Sequence, residues 1–511
     1  MAQSNEVTIS AVLIVKDEEA VLEACLESVQ WCDEVVVYDT GSTDGTLEIA
    51  RRLATTVVEG FWDADFGAAR NRALAHATSE WVLILDADEV LDADPATLRR
   101  HIGRRGVKRH IVQIRERGVK SDDAITPSIR IFERETHQYV GALHEQVASL
   151  TGVGSGMAAL DGVTLWHSGY TDAVIERKQK RRRNVEISRA GLDAAVAEGK
   201  DAAFIAGCQA DLARSLFLDQ QIEEALVLAH RVDDEGRADP AVMLQLAASV
   251  SRTAGLLEDR DLEDHWLEVW QRNAEGSALP WAARVRAMVT RGDAQGALDA
   301  LDHIPTTSVD DFGQRFDRST LVDSEVWAHA QVGAKRRAVR VALEAVAKGV
   351  PAWSPVRLMR FVGPDGVRTV LGGVKDADWS GWALRCVVEA AEPEALEFLR
   401  VMAQVRPDSL AAPYSAAQLG KRLTLEEATE WSVMLRRLGA PELCPLVAIA
   451  TDETAEPRPR ALAGALAWDV FQEERALEGL QAALALVSAE DEPELLVALD
   501  IVAPGLVSSA A

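Results

Sequence analysis

Cysteine is scarce in this chain, and the five present (Cys25, Cys32, Cys208, Cys386 and Cys444) never form a C-x-x-C pair. Neither a thiolate metal site nor a disulfide framework is therefore expected, and reduced thiols are the plain reading. No apolar run approaches the roughly 20 residues needed to cross a bilayer, so a membrane-spanning helix is excluded. Cations are outnumbered: 54 Lys and Arg stand against 81 Asp and Glu, a formal net charge of -27. Such a balance repels phosphate backbones and argues against a nucleic-acid partner. The N-terminal stretch "MAQSNEVTIS" lacks a basic segment followed by an apolar one. A secretory leader is not expected, and a cytoplasmic location is.

What is present is a chain of 511 residues, 48% apolar and 26% charged. Its composition is that of a globular protein, and its length exceeds what one hydrophobic core usually serves, so two or more domains are expected. From Val7 to Asp94, short apolar runs alternate with amphipathic helical segments. "TISAVLIV", "EVVVYD" (34 to 39), "TTVVEG" (55 to 60) and "EWVLILDAD" read as strands. Between them, Val21, Leu22, Cys25, Leu26 and Val29 recur at helical spacing, and "TLEIARRLA" (46 to 54) and "GAARNRALAHAT" (67 to 78) give two more helices. Strands separated by helices imply right-handed crossovers and a mostly parallel α/β sheet, whose ligands bind beyond the carboxyl ends of the strands. "RHIVQIRE" and "PSIRIFER" read as an added pair of strands, and "ERKQKRRRNVEISRA" (176 to 190) as a basic helix.

Beyond residue 197 strand signals nearly vanish. "LARSLFLDQQIEEALVLAHRV", "RVRAMVTRGDAQGALDALDHI" and "WAHAQVGAKRRAVRVALEAV" each read helix, polar or Gly turn, then Ala-rich helix, the pattern of stacked hairpins of tetratricopeptide type. The expected division is an α/β domain over 1–195 and an all-α helical-repeat domain over 196–511, with candidate breaks at "VGPDGV" (362 to 367) and "TDETAEPRP" (451 to 459).

The stretch "WVLILDADEVLDADP" sets five carboxylates directly after a buried strand, with nothing cationic beside them in the sequence. Residues i and i+2 of a strand face the same way, so Asp86 and Asp88 are expected to project together from its tip. Two close carboxylates repel unless a cation joins them. Oxygen ligands suit Mg²⁺ or Mn²⁺, and Mg²⁺ is usually held by one or two carboxylates plus substrate phosphates. Alternatively Glu89, Asp92 or Asp94 caps the helix starting near Pro95.

Three segments in order, "VLIVKDEEAVLEACLESVQWCDEVVVYDTGSTDGTLEIA", "DFGAARNRAL" and "EWVLILDADEVL", resemble the catalytic domain of inverting nucleotide-sugar glycosyltransferases of the A-type fold, family 2-like. The resemblance covers about the first 190 residues, and is strongest to members with helical repeats behind the catalytic domain, among them bacteriocin peptide S-glycosyltransferases. It implies a UDP-sugar donor, with Lys16, Asp17 and Glu18 beside the nucleobase and Asp39 accepting from the imide N–H of uracil. It implies donor contacts from Asp44, Arg70, Asn71, Asp86 and Ala87, a metal held by Asp86, Asp88 and His167, and a base, Glu145 or His144, in "GALHEQV". A nitrogen ligand from His167 tilts the preference toward Mn²⁺. Lys178 and Arg183, in "RKQKRRRN", are candidates to cover the diphosphate, against the reading of a solvated helix face. For Asp44 the alternative is a helix cap, and for Arg70 a surface ion pair.

The expected reaction is a single displacement at the anomeric carbon, with a peptide or protein as the expected acceptor. A glycan or small molecule stays open, as does a different class, a helical-repeat scaffold carrying an inactive sugar-nucleotide domain. A sugar nucleotidyltransferase would need a Gly-rich, Arg-bearing loop after the first strand, and "IVKDEEA" has none.

Overall fold

The structure, a computed structural model, describes residues 7–102, 106–116, 125–150, 156–167, 173–311, 315–350 and 353–504. The chain divides into two compact units, Met1–Pro280 with Val309–Arg315, and Trp281–Ser308 with Phe316–Ala511. Strands give way to helices close to the expected boundary at 195/196, but compactness places the first helices with the sheet.

The first unit opens with β1 (Ile9–Val15), α1 (Leu22–Ser28), β2 (Glu34–Asp39), α2 (Thr46–Leu53), β3 (Thr56–Glu59), α3 (Phe66–Leu74) and β4 (Trp81–Leu85). β1, β2 and β4 are buried almost throughout, which is why they read as continuous apolar runs rather than alternating ones. All four strands are parallel, and Val15 lies opposite Asp39 while Leu13 lies opposite Leu85. The chain steps outward from β1 to β2 to β3, then returns to place β4 on β1's other side. That reversal opens a crevice beyond the carboxyl ends of β1 and β4.

The continuation is mixed, not parallel. β5 (Glu89–Asp92), α4 (Pro95–Ile102), β6 (Val107–Glu116), β7 (Ile125–Glu133), β8 (His137–Val140), β9 (Gln146–Ser149) and β10 (Gly156–His167) follow, in a sheet of order β3-β2-β1-β4-β7-β6-β10-β5, with β8 and β9 paired separately. β6 and β7 form the expected added pair, antiparallel to each other. β4 and β5 are four places apart in this order, about 19 Å in a flat sheet. Only Asp86, Ala87 and Asp88 join them, and four residue steps span at most about 14 Å. The sheet must therefore curl, and the curl carries Glu89 to its place opposite His167 at the end of β10.

α5 (Ala173–Ala197), α6 (Ala202–Leu218), α7 (Ile222–Glu235), α8 (Pro240–Leu256) and α9 (Arg260–Asn273) complete the first unit. α10 (Leu279–Arg291), α11 (Ala294–Asp302), α12 (Val322–Gln331), α13 (Lys335–Lys348) and α14 (Pro355–Leu371) follow. The three stretches singled out as repeats fall on α6–α7, α10–α11 and α12–α13. Each turn uses a left-handed residue, Gln220 (φ 62°), Gly292 (φ 75°) or Gly333 (φ 80°). The expected breaks do not divide the second unit. Gly363 (φ 74°) and Pro364 only kink α14, residues 452–456 are a turn between two helices, and one core runs through both, holding Val362, Val367, Ala450 and Ala463. Trp382 stacks on Phe398 within that core.

Candidate active site

A cleft of about 750 Å³ opens at the crevice between β1 and β4. From the carboxyl end of β1 it takes Lys16, Asp17 and Glu18, and from the β4–β5 turn Asp86, Ala87 and Asp88. Arg70 of α3, His144 and Glu145 of the β8–β9 turn, His167 of β10 and Arg183 of α5 join them in the lining. Segments up to 167 residues apart thus meet in one place.

The aspartates do not sit as the strand period suggested. β4 ends at Leu85, so Asp86 and Asp88 belong to the turn after it and take different partners. Nor is the neutralising charge absent. Arg70 donates from Nη2 to Asp86 Oδ1 at 2.8 Å, and Arg130 donates from Nη2 to Asp86 Oδ2 at 2.9 Å. Burial pushes the Asp86 carboxyl up, but Arg130 and Arg70 outweigh it and hold the acid well below the usual carboxylate range. Asp86, expected as a metal ligand, stands here at the centre of an arginine clamp. Arg130 also holds Glu89 Oε1 at 2.7 Å, and Glu89 Oε2 accepts from the Asp86 amide at 2.9 Å. Burial, partly offset by Arg130, pushes the Glu89 carboxyl up to about 7.

Asp88 instead meets His167, Nε2 to Oδ2 at 2.9 Å, and that hydrogen bond raises the imidazole's pKa. Burial, with Asp88 second, pushes nearby Glu18 up to about 7. Among the described residues no three His, Cys, Asp or Glu side chains are grouped as a complete cation cage. The Asp88–His167 pair supplies one oxygen and one nitrogen, a partial set that fits Mg²⁺ or Mn²⁺ sharing its coordination with phosphate oxygens.

Glu145 accepts from Arg70 Nε at 2.7 Å, so Arg70 is a buried bridge between Asp86 and Glu145 rather than a surface ion pair. His144 adopts φ 55°, and its Nε2 lies 3.4 Å from Ser215 Oγ on α6. Burial, and Arg214 after it, push this imidazole down to about 3, so it is neutral across the neutral range. Asp17 Oδ1 accepts from the Thr43 amide at 2.6 Å, which holds the turn after β2 against the end of β1.

Three expected donor contacts lie outside the cleft lining. Asp44 accepts from the Thr46 amide at 3.0 Å and the Glu19 amide at 3.2 Å, which braces the turn ahead of α2, whose N-cap is Gly45. Asn71 closes its amide on both backbone groups of Tyr139, each at 2.8 Å, and ties α3 to β8. Asp39 accepts from the Gly41 and Ser42 amides through Oδ1, while its buried Oδ2 has no partner among the described residues. Lys178 has a side chain outside the described residues. Asp94, not Glu89 or Asp92, caps α4, accepting from the Thr97 amide at 2.9 Å.

Sequence reasoning missed Arg130, Lys180 and Asn184. Arg130 had a signal: an arginine between Ile129 and Ile131 in a strand otherwise fit for burial. Lys180, Arg183 and Asn184 are spaced i, i+3, i+4, share one helical phase and all line the cleft. Trp62 and Phe66, ring centroids 4.7 Å apart, form another wall.

Residues 10–158 match the family described as Glycosyl transferase family 2. The chain is similar to the SPbeta prophage-derived glycosyltransferase SunS of Bacillus subtilis, 24% identical over 202 residues, covering 36% of this chain and 45% of that one. It is also similar to the lipopolysaccharide core biosynthesis glycosyltransferase LpsC of Rhizobium meliloti, 35% identical over 92 residues, 16% of this chain and 33% of that one. A TPR repeat-containing protein of Synechococcus elongatus is 48% identical over 84 residues, 16% of this chain and 21% of its own. The chain spans less than half the length of each of these relatives. Among the described residues no helix is long and apolar enough to cross a membrane.

Proposed function

We propose that the cleft binds a UDP-sugar and transfers the sugar, with inversion, to a peptide or protein acceptor. The observation that carries this reading is the meeting of the family-matched segments in one cleft at the sheet's carboxyl edge, where the Asp88–His167 and Arg70–Glu145 pairs both line the wall. Asp88 and His167 would hold Mn²⁺ or Mg²⁺, and such a cation, when bound, neutralises charge growing on the departing nucleoside diphosphate.

The chain's own side chains supply the rest. Lys180 and Arg183 bring positive charge to the same cleft from α5, where a diphosphate would lie. Asp39 lies outside the cleft lining, but its Oδ2 has no partner among the described residues, and the preference for uridine requires that a bound base reach this oxygen. Glu145 is the better base. Arg70 fixes one of its oxygens, whereas the neutral His144 imidazole, at about 3, is too weak to take a proton from a hydroxyl or thiol. A single base and no covalent sugar correspond to inversion. The helical half supports a polypeptide acceptor, since stacked hairpins form extended surfaces. The second unit has a groove of about 1220 Å³ lined by Arg368, Arg400 and Arg422 with Glu392, Glu394 and Glu427.

A donor screen tests the reading: purified chain, Mn²⁺, a panel of UDP- and GDP-sugars, and nucleotide release as the signal. UDP release is expected. Release of GDP alone would remove the role given to Asp39, and binding without turnover would favour an inactive scaffold.

A further inference from the structure

We propose that Arg130, which does not line the cleft, is a positioning residue that fixes the leaving-group side and the base side of the reaction relative to each other. The inference rests on the proposed function. Arg130 sits on β7, only 8% exposed, between two isoleucines. Burying a guanidinium costs several kcal/mol per ion, and well-packed apolar residues often replace a buried ion pair without loss of stability. This one even leaves its Nε buried without a partner among the described residues. Packing alone gives no reason for an arginine here.

Its contacts do give one. From Nη2 it holds Asp86 Oδ2 and Glu89 Oε1, at 2.9 and 2.7 Å, at the two ends of the turn that carries Asp88. Asp86's other oxygen is held by Arg70, whose Nε holds Glu145. One chain of ion pairs, Arg130–Asp86–Arg70–Glu145, therefore runs from the buried sheet through the turn bearing Asp88 to the carboxylate assigned as base. Asp88 and Glu145 come from segments 57 residues apart, and no shared element of secondary structure sets their spacing. The arginine chain sets it, and a misplacement of about 1 Å at a reacting centre costs on the order of 100-fold in rate.

Three variants of the full chain test this: Arg130→Met, Arg130→Lys, and Arg130→Met combined with Glu89→Gln, which removes the stranded buried charge. Donor turnover, donor KM and melting temperature are read for each. Expected is a fall in kcat of about 100-fold for Arg130→Met with KM within about threefold, and recovery of about tenfold in Arg130→Lys, whose ammonium is a point charge without the guanidinium's fork. The double variant regains melting temperature but not kcat. If kcat returns together with stability in the double variant, or if Arg130→Met turns over like wild type, the positioning role is overturned while the function stands. A wild-type chain without turnover overturns both.

Discussion

Replacing Arg70 with methionine removes the bridge between the two halves of the cleft, and the structure sets the size of the effect. The Arg70 and Glu145 side chains are 9% and 16% exposed, so the substitution strands a buried carboxylate, and breaking such a pair costs about 3 kcal/mol at the lower end of the usual range. Asp86 loses one partner but keeps Arg130 and is 40% exposed to the cleft, so its share is under about 1 kcal/mol. The total is about 3 to 4 kcal/mol. Unfolding entropy scales with chain length, so for the N-terminal unit this corresponds to a fall in melting temperature of about 6 °C. Scanning calorimetry of the full chain, following the transition of that unit, reads it directly. Combining Arg70→Met with Glu145→Gln should restore more than half of the loss. A shift under about 1 °C, or no restoration, would refute the buried bridge.

Other outcomes follow from the same geometry. Asn71→Ala loses two hydrogen bonds to Tyr139, so it should cost about 2 kcal/mol in stability and leave affinity for UDP unchanged; a loss of affinity in a folded variant would return Asn71 to the donor site. Glu18 has its carboxyl pushed up to about 7, chiefly by burial, from an ordinary 4.5. Between those values the folded state holds a proton that the unfolded chain has released, so stability falls as pH rises from about 4.5 to about 7. With divalent cations chelated, Glu18→Gln should raise the melting temperature at pH 8 and leave it unchanged at pH 4. Equal shifts at both would contradict a strained carboxyl there.

Much of the first unit was legible because buried parallel strands are written as unbroken apolar runs. "EVVVYD" is β2 to the residue, and the ends of β1, β2 and β4 were enough to locate the cleft. The charges inside it were not legible in the same way. The strand period applied to "DAD" failed because β4 stops at Leu85, and no local pattern reports where a strand yields to a turn. Arg130 neutralises Asp86 from 44 residues away, through a strand whose place in the sheet depends on the curl. Asp44 and Asn71 show the reverse: each stands in a family-like segment, yet Asp44 satisfies the Thr46 and Glu19 amides, and Asn71, inside α3, satisfies the backbone of Tyr139 from 68 residues away.

The most direct test of the account is UDP release from a UDP-sugar by wild type and by Asp88→Asn, with and without Mn²⁺. The account predicts turnover that requires the cation and falls by about 100-fold or more in the variant, the effect of losing several kcal/mol of leaving-group stabilisation, with the melting temperature preserved. Equal turnover in the two proteins, or wild-type turnover unaffected by chelation, would contradict it.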